Sequence, residues 1–171
     1  MTPLKKQHLD FIAKVNESQG ILYRICAVYT NDAEDRNDLW QEILLQLWRS
    51  FHSFKEKSSF STWLYRVALN TALMHQRKKK RRWLSKPIED KELAVAENIS
   101  VHQDDEVQLL YTCIHDLPHL DRVIILLQLE QKSYHEIAEI TGFSDKNVSV
   151  RIVRIKEKLR QMLIKKGVQG E

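Results

Sequence analysis

Apolar residues along this chain recur at steps of three and four, the spacing that gathers side chains on one face of an α-helix. Phe11, Ile12 and Val15 form one such segment, and Ile21, Leu22, Ile25 and Tyr29 a second. Leu39, Ile43 and Leu47 step by four along a third, and Trp63, Val67 and Met74 mark a fourth. Strand-like alternation of apolar and polar residues does not occur. Between Asn31 and Asp38 the chain is polar, and Asp38 or a neighbour is placed to cap the third helix. Residues 8–82 therefore read as one all-helical unit. A second periodic stretch starts near Val107 and runs to about Ile164. The pattern predicts an all-α protein of two small helical domains.

The second stretch holds a more specific arrangement. Ser133 and Glu136 form an S-x-x-E capping box at a helix start, Ile137, Ala138 and Ile140 supply its apolar face, and Gly142 ends it. Ser144 can cap the next helix, with Asp145 favourably placed at the positive end of the helix dipole. There Val148, Ile152, Ile155 and Leu159 form a core-facing stripe, while Asn147, Arg151, Arg154 and Lys158 repeat the same spacing on another face. A glycine turn between two such helices predicts a helix-turn-helix whose second helix is offered to the DNA major groove. Arg can donate two bonds to a guanine edge, and Asn can pair likewise with adenine. A solvated amphipathic helix is the plain alternative. Capping box, turn and basic second helix together favour DNA.

Composition sharpens this picture. The chain has 171 residues, 43% hydrophobic and 29% charged, with four glycines and three prolines, which suits helical, core-forming units. The net charge of +4 is modest, but its distribution is uneven. Between His75 and Lys86 lies the run Arg77, Lys78, Lys79, Lys80, Arg81, Arg82 with no acid, whereas from Ile88 to Glu106 acids dominate. With Pro87 at the junction, the second of these segments reads as an acidic flexible linker.

Several function classes drop out. No stretch reaches the roughly 18 apolar residues of a membrane span, and the N-terminus lacks a signal-peptide core, so a cytoplasmic protein is expected. Cys26 and Cys113 sit in apolar segments without a CxxC pattern and read as buried hydrophobes. His115 and His119 flank Pro118 without a third ligand nearby, so no metal is expected. There is no phosphate-cradling glycine loop, HExxH or G-x-S-x-G. An enzyme, a cofactor and a small-molecule substrate are therefore not expected.

The segment "DLPHLDRVIILLQLEQKSYHEIAEITGFSDKNVSVRIVRIKEKLR" resembles the C-terminal domain of bacterial sigma factors, most closely the extracytoplasmic-function (ECF) group. "DRNDLWQEILLQLWRSFHSF" resembles their polymerase-binding helix, and "SSFSTWLYRVALNTALMHQRKKKRR" their promoter-melting segment. The resemblance covers nearly the whole chain in the family's order. It implies a region 2 domain over 1–86, a linker over 87–106 and a region 4 domain over 107–171. The implied partners are RNA polymerase core enzyme, promoter DNA and an anti-sigma factor.

Residue by residue, the resemblance implies that Asp38, Gln41 and Glu42 meet the clamp helices of the largest polymerase subunit. Trp40 between them suits either core or contact. Phe54 to Thr62, including Ser58 and Ser59, matches a loop that captures an unstacked base of the minus-ten element. Arg66 and Asn70 share a helix face in that segment, and Arg77 to Arg82 would hold phosphates beside the melted region, a generic charged surface being the alternative. Phe60 and Trp63 read as core before contact. Met74 stands where relatives often carry a second Asn. Lys146, Asn147, Ser149, Arg151, Arg154 and Lys158 are the implied contacts to the minus-thirty-five element, with Ser149 replacing a common basic residue.

Two rivals remain. A stand-alone helix-turn-helix regulator would need a dimer to read two half-sites, and no heptad seam is evident. A pure protein-interaction module that sequesters an anti-sigma partner is disfavoured by the cationic face of the second helix.

Overall fold

The computed structural model describes residues 3–55, 57–85 and 105–167, and among these every regular element is helical. The first unit comprises α1 (Pro3–Glu17), α2 (Gln19–Tyr29), α3 (Ala33–Ser50), a short 3-10 turn (Phe51–Ser53) and α4 (Phe60–Ser85). The second comprises α5 (Asp105–His115), α6 (His119–Leu129), α7 (Tyr134–Thr141) and α8 (Asp145–Lys165). Most of the expected acidic linker lies outside the described residues. Its last two acids, Asp105 and Glu106, occupy the first turn of α5, where the helix dipole favours them.

The cap of α3 differs from expectation. Asp32, not Asp38, occupies the N-cap and accepts a 2.7 Å bond from the Asp35 amide. The polar stretch is thus mostly the first turns of a helix rather than a loop. Its residues are polar because that end faces solvent. At α4 the cap is Ser59, whose Oγ accepts from the Thr62 amide at 3.1 Å.

Leu39, Ile43 and Leu47 are fully buried against Leu64, Tyr65 and Ala68 of α4 and Leu22 and Ile25 of α2. Each such aliphatic side chain contributes about 1.5–3 kcal/mol by leaving water. Two apolar assignments fail: Ile12 and Met74 are about half exposed. The buried face of α4 is instead Leu64, Ala68, Ala72 and His75, turned about one residue from the Trp63–Val67–Met74 line. The small alanines let α4 lie close to its neighbours but give little apolar signal.

In the second unit Val148, Ile152, Ile155 and Leu159 are all buried, as their spacing predicts. The Ser133–Glu136 capping box is closed in both directions, at 3.2 and 2.8 Å. Gly142 ends α7 in the left-handed region at φ 80°. A Cβ there would meet nothing within 4 Å, so only backbone conformation penalises a side chain. Gly142→Ala is expected to lower stability by about 1–2 kcal/mol, seen as a lower denaturation midpoint with an unchanged slope.

The two units pack on each other. α2 lies against α5 and α4 against α7, and buried apolar side chains form one continuous cluster through both.

Candidate polymerase and nucleic-acid interfaces

On α3, Asp38 and Gln41 are exposed, while Glu42 is half-buried and turned toward α4. The Glu42 carboxylate lies 3.0 Å from Nδ1 of buried His75 and 3.7 Å from Nζ of Lys78. Nε2 of the same imidazole is 2.7 Å from Asp35, which also accepts a 2.7 Å bond from Lys79. Burial pushes the Asp35 carboxyl up, but the bonds from Lys79 and His75 outweigh it and hold the group below its usual range. Glu42 thus braces α3 on α4 as well as facing outward. Trp40 packs partly buried against the core.

The exposed stripe on α3 continues beyond Glu42. Leu45 and Trp48 follow Asp38 and Gln41 at steps of four and three, and are 45% and 40% exposed. Leu45, Glu42, Asn70 and Met74 line one groove between α3 and α4. The detectable signal was an apolar residue at contact spacing that the core stripe did not need.

Arg66, Asn70 and all of Arg77 to Arg82 are exposed along α4, with Arg77, Lys79 and Lys80 lining one hollow. Ser58 is half-buried and Ser59 is exposed, though its hydroxyl serves as the α4 cap. Phe51, Phe54, Phe60 and Trp63 form an aromatic cluster with ring centroids 5.3–6.4 Å apart, so Phe60 and Trp63 are packing residues here.

The Ser144 hydroxyl caps α8 by accepting from the Asn147 amide at 3.2 Å. Lys146, Asn147, Arg154 and Lys158 are exposed, Ser149 and Arg151 half-buried. A groove of about 250 Å³ gathers Asn147, Arg151, Arg154 and Lys158 beside Asp121 of α6. Arg151 differs from its neighbours: it lies 3.4 Å from the Asp121 carboxylate and over the Phe143 ring at 4.7 Å. Val150 and Val153 add exposed apolar surface to the same helix.

α4 and α7 meet across the contact between the units. Arg66 donates to the backbone carbonyl of Glu139 on α7. Arg24 pairs with Glu130 through two bonds, Nη2 to Oε2 being 2.8 Å; these bonds raise the arginine's pKa. The Tyr29 hydroxyl is 2.7 Å from Nδ1 of His119, and the Arg122 guanidinium covers the Tyr29 ring at 4.8 Å. Among the described residues no cluster of three or more metal-binding side chains occurs, and no helix is long and apolar enough to cross a membrane.

Comparison with known proteins agrees with this division. The sigma-70 region 2 family matches residues 15–82 and the sigma-70 region 4 family residues 108–159. The ECF RNA polymerase sigma-E factor of Haemophilus influenzae is 35% identical over 163 residues, covering 86% of this chain and 82% of that protein. The Escherichia coli K12 sigma-E factor is 32% identical over 136 residues, covering 72% and 71%. Among solved structures, the sigma factor RpoE of Bartonella quintana, crystallised with the anti-sigma factor NepR, has TM-score 0.74 at 21% identity. It covers 90% of this chain and 96% of its own. CnrH, solved with the cytosolic domain of CnrY, has TM-score 0.67 at 22% identity, covering 91% and 88%. With two helical units in the family's order and both family regions matched, the chain belongs to the ECF group of sigma-70 RNA polymerase sigma factors.

Proposed function

We propose that this sigma factor docks on core RNA polymerase through the α3 stripe of Asp38, Gln41 and Glu42, extended by Leu45 and Trp48. In this reading α4 engages the minus-ten region. Arg66 and Asn70 face the separated strand, and Arg77 to Arg82 neutralise phosphates, a contact that supplies affinity but no sequence information. α8 reads the minus-thirty-five element, with Arg154 as the unencumbered base reader and Val150 and Val153 offering apolar surface to thymine methyl groups. The protein acts in the cytoplasm as an initiation factor rather than an enzyme. Its control by an anti-sigma factor is supported by the fold neighbour RpoE, solved in complex with the anti-sigma factor NepR.

One observation carries the proposal: a single fold presents an acidic and apolar stripe on α3 and two separate cationic faces on α4 and α8. A stand-alone regulator has no use for the first. Arg154 has no ion-pair partner among the described residues and is exposed. Arg154→Ala is therefore expected to cost about 1–3 kcal/mol of discrimination between cognate and altered upstream elements. Competition binding with the assembled holoenzyme measures it. Equal discrimination by the variant would remove Arg154 from base readout.

A further inference from the structure

Asp121 lies in the first turn of α6, outside the recognition helix, yet it lines the groove formed by Asn147, Arg151, Arg154 and Lys158. A carboxylate is an unexpected presence on a surface meant for a polyanion. Its Oδ1 stands 3.4 Å from Nη1 of Arg151. The Phe143 ring covers one face of the guanidinium at 4.7 Å. The Nε atom is buried and has no hydrogen-bond partner. The guanidinium plane is therefore restrained by a carboxylate at one end and a ring on one face, with its Nε edge buried. The Nη2 end carries none of these restraints. Neither Arg154 nor Lys158 is restrained in this way.

A cation tied to a carboxylate responds differently to DNA from a free one. The Asp121 charge offsets that of Arg151 and repels phosphates, so the pair adds little to sequence-independent affinity. Holding a flexible side chain in one orientation beforehand removes part of the ordering cost of a base contact. We infer that Asp121 is a specificity-determining positioning residue: it aims Arg151 at a base edge and withholds it from generic phosphate binding. The inference rests on the reading of α8 as the promoter-reading helix.

The test uses the full chain assembled with core polymerase and a duplex DNA library randomised across the promoter. Selected sequences are compared for the wild type, Asp121→Ala, Asp121→Asn, Arg151→Ala and the double alanine variant. Wild type should enrich an upstream and a downstream motif. Asp121→Ala should lose about tenfold in base preference at one or two adjacent upstream positions, leaving the downstream motif unchanged. Its salt dependence on non-cognate DNA should steepen by about one phosphate contact. Asp121→Asn, which keeps an oxygen acceptor for Arg151, should retain more of the preference while showing the steeper slope. On the Arg151→Ala background, removing Asp121 should change base preference no further. An unchanged upstream motif and slope in either folded Asp121 variant would overturn the inference. So would a full Asp121 effect that persists without Arg151, since the residue would then not act through it. Enrichment of no motif by wild-type holoenzyme would instead bring down the promoter-reading assignment itself, and this inference with it.

Discussion

Asp38→Lys and Glu42→Lys are each expected to weaken binding to core polymerase, by about 2–5 kcal/mol where the lost group is desolvated in the complex, with only the second also destabilising the free protein. Asp38 is exposed, with no ion-pair partner among the described residues, so its reversal leaves the helical packing alone. The Glu42 carboxylate lies 3.0 Å from Nδ1 of His75 and faces Lys78 at 3.7 Å. A lysine there sets cations against each other and leaves the buried imidazole with Asp35 alone, at a cost of about 1–3 kcal/mol in stability. Glu42→Gln keeps an oxygen toward His75 and separates the two effects. Fluorescence anisotropy against core enzyme, paired with thermal unfolding, reads both quantities. Native affinity in folded Asp38→Lys and Glu42→Gln would show that this face of α3 is not the docking surface.

Local signals were legible in the sequence; pairings between distant residues were not. The α8 stripe could be read because its spacing of four, three and four sorts aliphatics from cations without ambiguity. The Ser133–Glu136 box and Gly142 were equally plain, since a cap or a left-handed turn depends on residues within one helical turn of it. α4 misled because its core face uses Ala68, Ala72 and His75, small or polar groups that a hydrophobic pattern overlooks, while exposed Met74 mimics the expected period. The cap of α3 at Asp32, rather than at Asp38 or a neighbour, is hidden because a solvent-facing first turn is as polar as the chain before a helix.

Residues far apart in sequence but joined in space left no periodic trace. His75 between Asp35 and Glu42, and Arg151 beside Asp121, are set by how helices pack. The same holds for the contact between the two units. Their surfaces meet through Arg24 with Glu130, Tyr29 with His119, and Lys132 over the Tyr65 ring at 5.6 Å. Each pair spans a long sequence separation, so neither propensity nor spacing bears on it.

That contact gives a physical reason for the free chain to read promoters poorly. In the packed arrangement Arg66, a candidate for the minus-ten strand, is occupied by the Glu139 carbonyl, and α7 lies against α4. On the proposed assignment, engaging both promoter elements at once would part the units, giving up the Arg24–Glu130 pair and the apolar surface around it. The ion pair alone contributes roughly 1–2 kcal/mol once the exposure of Arg24 is allowed for. Core polymerase, by holding each unit separately, would then offset that cost and convert two weak contacts into one strong one. Free protein should therefore bind DNA weakly and with steep salt dependence, with a promoter footprint and strand opening appearing only when core enzyme is added. Glu130→Arg, which sets two arginines against each other, should raise DNA binding by the free chain several-fold while leaving the holoenzyme footprint in place. Footprinting one promoter with wild type and variant, each with and without core enzyme, tests both statements. A tight, sequence-specific footprint from the wild-type chain alone, unaltered by polymerase, would sink the proposed dependence on core enzyme and support an autonomous DNA-binding regulator.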